Sequence, residues 1–131
     1  MESDLFEYME SIESKSIDSM KPISWKKKYS VCVVMASNGY PGKFETGHII
    51  KGLDRADKED LMVFHAGTKL NSSNELVTDG GRVLGVTSLG DTLEEAIGKS
   101  YHNVKKIVWG NNQQQYRKDI GAKNQSQVKS V

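Results

Sequence analysis

Residues 63–96, VFHAGTKLNSSNELVTDGGRVLGVTSLGDTLEEA, decide the fold. TKL and ELVT are short extended pieces joined by the polar NSSN, the pattern of a hairpin. DGG then breaks the chain, and RVLGVTSLG reads as the next strand. After Gly90 the period changes. Thr92 followed by Glu95 makes a Thr-x-x-Glu capping box, worth about 1 kcal/mol at a helix start. Leu93, Ile97, Val104 and Val108 recur on one face with Tyr101 beside them, which predicts a long helix stopped by Gly110. Lys105 and Lys106 fall in its last turns, where they favour the C-terminal dipole.

Upstream, LMVFHAG and GHIIKGL each read as a short strand. SVCVVMAS is a run of apolar and small residues rich in valine, which predicts a strand buried on both faces with Cys32 as a buried thiol. NGYPG holds two glycines and a proline in five residues, so it predicts a tight, shaped loop. The opening MESDLFEYMESIESK predicts an acidic helix capped by Ser3 or Asp4, with Leu5, Met9 and Ile12 on a narrow apolar face that must dock on something. SIDSMKPISWKKKY reads as a linker ending in a solvated cationic run at Lys26, Lys27 and Lys28. The last ten residues cannot build a core and predict a loose tail.

Strands followed by a helix predict an α+β fold: a small, mostly antiparallel sheet or partial barrel, one long helix packed on it, and an extra helix in front. The expected organisation is a helix and linker over 1–26, a domain over 27–121 and a flexible tail over 122–131. A chain of 131 residues buries roughly 65–70% of its unfolded surface, enough for one core. Lysine and arginine number 18 against 17 acidic residues. A net charge of +1 supplies no general attraction to nucleic acid or to a membrane, so any anion site must be local. A single cysteine excludes an intrachain disulfide and, with no secretory leader in the opening residues, points to the cytoplasm.

The three histidines, His48, His65 and His102, have no cysteine or carboxylate at ligand spacing, which gives no support to a zinc site. His65 stands at a strand end before Ala66 and Gly67. There it either reaches a cleft or serves as a satisfied structural histidine. HAGTK and DGGR are short glycine turns, each beside a cation. Glycine lets backbone approach an anion, and arginine binds phosphate oxygens with a planar fork. Such pairings also arise by chance in turns. Arg117 and Asp119 in YRKDIG predict an intramolecular pair tying down the tail, with ligand contact as the alternative.

VVMASNGYPGKFETG, VFHAGTKL, GGRVLGVTSLGDTLEEA and YRKDIG follow one another in the order and at the spacing seen in phosphoribosylamine–glycine ligases, also called glycinamide ribonucleotide synthetases. The chain resembles that family from Ser3 to Gly121, and the likeness is to the C-terminal domain of an ATP-grasp ligase. One departure is Asn38, where bacterial members often carry glycine; asparagine tolerates the left-handed backbone such a loop can need. The resemblance implies ATP-dependent ligation of glycine to 5-phosphoribosylamine in purine synthesis. ATP and Mg²⁺ would be bound by the complete enzyme and neither by this part, which would be inactive alone. It implies that Lys69, Gly80, Gly81 and Arg82 hold the ribonucleotide 5′-phosphate, with His65 and Arg117 as further candidates. Its partners would be the ATP-grasp and N-terminal domains, in the same chain or a separate one. The competing reading is a freestanding anion-binding or protein-interaction module.

Overall fold

The computed structural model describes residues 1–56, 59–112 and 114–123. Its elements are α1 (Leu5–Glu13), β1 (Tyr29–Ser37), β2 (Leu61–His65), β3 (Thr68–Leu70), β4 (Leu76–Thr78), β5 (Arg82–Gly90), α2 (Leu93–Val104) and β6 (Gln114–Tyr116). The fold is α+β, as the pattern of strands and then helix predicts. β2, β5, β1 and β6 form an open antiparallel sheet in that order, and β3 and β4 form the hairpin. The sheet does not close into a barrel: β2 and β6 are its edges.

The register explains which side chains make the core. Val33 stands opposite Val86 and Met35 opposite Leu84, and across the next ladder Val63 stands opposite Val86. Side chains alternate across a strand, so these residues share one face. α2 covers that face through Ala96 and Val104, and the Ser100 hydroxyl donates to the Val31 carbonyl at 2.8 Å. Met35, Leu84 and Val86 are fully buried; each contributes about 1.5–3 kcal/mol through burial. The helix begins at the expected Thr92, with the return bond of the capping box shifted one residue upstream. Thr92 accepts from the Glu95 amide, and Glu95 accepts in return from the Asp91 amide.

Several expectations are corrected. β1 is not buried on both faces: Val31, Val33 and Met35 are buried while Cys32 and Val34 are exposed, so the thiol is open rather than enclosed. The reason is that α2 covers one side of the sheet. GHIIKGL forms no strand. Gly47 and Gly52, both at positive φ, bracket it, and it makes only isolated bridges, Ile49 to Val77 and Lys51 to Val108. The helix ends at Val104, well before Gly110, and Val108 leaves the helical face to exchange backbone hydrogen bonds with Lys51. Ile107 and Trp109 are buried instead. Apart from Ala122 and Lys123, the expected tail lies outside the described residues.

α1 is capped by Asp4, which accepts from the Phe6 amide at 2.8 Å. Tyr8 donates to the Lys21 carbonyl and the Glu2 amide donates to the Ser24 carbonyl, folding the linker back along the helix. Leu5, Phe6, Met9 and Ile12 remain more than half exposed.

Candidate functional site

The site is built around one irregularity in the sheet. Residues 84, 86 and 88 of β5 point toward α2, and strict alternation would send residue 82 the same way. The register instead shifts between Met35 and Ala36: Met35 faces Leu84, but Ala36 faces Arg82. The extra residue, Val83, is buried beside the equally buried Leu84, and Arg82 turns out to solvent. A bulge of this kind re-aims a side chain at the cost of one ladder position.

Three turns meet at the bulge. The Gly67 amide donates to the Arg82 carbonyl at 2.9 Å, and the Asp79 amide donates to the Gly67 carbonyl at 2.7 Å. A Cβ on Gly67 would stand 2.7 Å from the Gly80 Cα, so the HAGTK and DGGR turns touch backbone to backbone. The Ser37 hydroxyl donates to the Gly80 carbonyl at 2.9 Å, and the Ser37 amide to the Gly81 carbonyl. The NGYPG loop then lies over Gly81, where any Cβ would overlap the Tyr40 ring. Gln115 donates to the Tyr40 carbonyl at 2.6 Å, which fixes the loop to β6.

Two grooves have both Tyr40 and Arg82 on their walls. One, of about 560 Å³, is lined by Val34, Tyr40, Phe64, His65, Gly81 and Arg82. The other, of about 470 Å³, shares Val34, Tyr40 and Arg82 and adds Pro41, Tyr116 and Arg117. The structure thus brings Arg82, Gly81, His65 and Arg117 to one surface around the NGYPG loop. Gly80 lies behind it as a structural turn. Lys69 lines neither groove; it sits on β3 and pairs with Asp79 at 2.9 Å. His65 Nδ1 is within 3.1 Å of the Thr68 hydroxyl. Arg117 is held by both Asp119 carboxylate oxygens, at 2.9 and 2.6 Å. Those bonds push the Asp119 carboxyl below the usual carboxylate range and raise the guanidinium. Among the described residues, Arg82 makes no ion pair, unlike Lys69 and Arg117.

The planar fork of an exposed guanidinium beside aromatic and glycine residues suits an anion that offers two oxygens to it, such as a phosphate. The Mg²⁺ implied for a complete ligase does not fit this grouping: it offers cations and rings, and among the described residues no three His, Cys, Asp or Glu gather to hold a metal. Sequence reasoning missed Tyr40, Gln115 and Tyr116 as site residues. The signal for Tyr40 was its place inside NGYPG; the polar run around Gln115 carried none.

The family model described as phosphoribosylglycinamide synthetase, C domain, matches residues 30–123. The chain belongs to that family. This C domain is 45% identical over 123 residues to a phosphoribosylamine–glycine ligase of Fusobacterium nucleatum, covering 92% of this chain and 28% of the relative. It is 44% identical over 105 residues to one of Nostoc, covering 80% and 24%. A solved phosphoribosylamine–glycine ligase from Thermotoga maritima superposes with a TM-score of 0.65 at 32% identity, over 87% of this chain and 27% of that one. The C domain therefore spans about a quarter of the length of the relatives it matches.

Proposed function

We propose that this C domain serves a phosphoribosylamine–glycine ligase of purine biosynthesis by holding 5-phosphoribosylamine while ATP-dependent ligation to glycine proceeds elsewhere. The observation that carries the reading is the bulge at Val83, which turns Arg82, free of any ion pair among the described residues, into the paired grooves beside Tyr40. Arg82 contacts the 5′-phosphate, and Gly81 allows the NGYPG loop to close against it. His65 lies along the wall of the same groove. Lys69 reaches the phosphate only by exchanging its Asp79 partner, which makes it the lesser contact. Arg117 acts from the second groove while remaining tied to Asp119.

ATP and Mg²⁺ belong to the rest of the ligase, and the segment over 1–26 links the domain over 27–121 to that remainder in the cytoplasm. The domain's part in the reaction is to bind, orient and shield the ribonucleotide. It activates no carboxylate and moves no phosphoryl group. The test is ADP release that requires both glycine and phosphoribosylamine. A complete ligase carrying this domain should show it and the 131-residue chain alone should not. Release by the chain alone would refute the division of labour. Activity on mixing the chain with a separate remainder would assign it as a subunit.

A further inference from the structure

Among the described residues, no helix covers the face of the main sheet away from α2. Cys32 and Val34 of β1 stand opposite Thr87 and Gly85 of β5, and Met62 and Phe64 of β2 stand opposite the same two residues. Alternation places all six on the face away from α2. Val34 is 46% exposed, Met62 58% and Phe64 56%, and Cys32 is exposed as well. They form one patch: a Cβ on Gly85 would lie 3.2 Å from the Cys32 sulfur and 3.8 Å from the Phe64 Cβ. None of the six carries a charge. Single exposed apolar residues are ordinary, but a contiguous apolar patch marks a contact surface. Its border strand, β2, pairs on one side only and holds no proline or lysine to guard that edge.

We propose that this bare face is where the remainder of a phosphoribosylamine–glycine ligase closes on the domain, an inference that rests on the function proposed above. Two observations select that occupant. Relatives carry this domain as only 24–28% of their length, which leaves a large body to seat. Val34, Phe64 and Gly85 also line the groove that holds Arg82, so the body covering this face roofs that groove. Roofing removes water from the guanidinium and strengthens its hold on a phosphate. A second copy of the chain placed there would instead obstruct the groove it shares.

Cys32, the chain's single cysteine, is a built-in reporter at the centre of the patch. The experiment is iodoacetamide alkylation without substrates, read by mass spectrometry of the Cys32 peptide. In a complete ligase carrying this domain, the reaction should be at least tenfold slower than in the 131-residue chain. Met62→Asp or Phe64→Asp in that ligase, with unchanged circular dichroism, should restore the fast rate. Equal rates in ligase and chain would overturn the proposal. So would protection of the chain alone that grows with its concentration, since that identifies a second copy. Ribonucleotide binding is not read in this experiment. A protected Cys32 together with an indifferent Arg82→Ala variant would keep the interface and refute the phosphate role.

Discussion

Arg82, Gly81 and Lys69 were all legible as cations and glycines near turns, with Arg82 the stronger candidate and Lys69 the weaker, and their surroundings in the structure differ. Gly81 has the Tyr40 ring where a side chain would go, and Phe44 stands 3.2 Å from the same point. Gly81→Val should therefore cost about 1–3 kcal/mol in urea unfolding, the usual penalty of overpacking. It should also weaken ribonucleotide binding by displacing the loop. An unchanged midpoint would show that the loop does not lie where we place it. The Lys69 side chain is 56% exposed and that of its partner Asp79 42%, so both stand at the surface. Surface pairs of this kind contribute about 0.2–1 kcal/mol. Lys69→Ala should shift the same unfolding curve by less than about 1 kcal/mol. Its effect on ribonucleotide affinity should stay well below that of Arg82→Ala. A larger loss of affinity with Lys69→Ala would reverse the ranking.

At the scale of elements, one charge network staples the starts of β1 and α2 to the turn before β2. Lys28 donates to Asp60 at 2.6 Å; Lys99 reaches Glu95 at 2.9 Å and Asp60 at 3.7 Å. The bond from Lys28 holds the Asp60 carboxyl below its ordinary 3.8, and the bond from Lys99 holds Glu95 below its ordinary 4.5. The same bonds raise Lys28 and Lys99 above 10.5. A depressed carboxyl contributes stability that is present above its unfolded value and lost as pH falls through the folded one. A raised lysine contributes below 10.5 and loses it as pH climbs past its folded value. The melting temperature should thus be flat across neutral pH from this source and fall on the acid side below 4.5. Asp60→Asn should lower the plateau and soften that acid fall. A variant with the parent's pH profile would remove the network from the account.

The elements themselves were unequally legible. The hairpin, β5 and the start of α2 announced themselves through turn residues and a capping box, which are local devices. β6 did not: Gln114 and Gln115 have no apolar alternation, and they form a strand because β1 offers them an open edge. The bulge at Val83 was equally silent, since its cause is a register between strands far apart in sequence. Cys32 lies open, since α2 covers the opposite side of the sheet; a valine-rich run does not by itself reveal whether one side of a strand is covered or both. The family resemblance named Arg82 and its neighbours. Their convergence with Tyr40 depends on three turns meeting, which no local pattern records.

At the scale of the whole molecule, exposed apolar surface on α1 and on the bare sheet face accompanies a chain that spans about a quarter of its relatives. Surface of this kind suits a part of a larger catalyst, and it fits a division in which this domain holds the ribonucleotide and the remainder holds ATP. That division is tested most directly by the kinetics of Arg82→Ala in a complete ligase carrying this domain. Losing a charge-assisted phosphate contact costs about 1.5–3 kcal/mol, which is roughly a tenfold to hundredfold rise in KM for phosphoribosylamine. KM for ATP should stay within about twofold of the parent, since the lost contact is specific to the ribonucleotide. An unchanged KM for phosphoribosylamine, or an equal rise in both constants, would contradict the account.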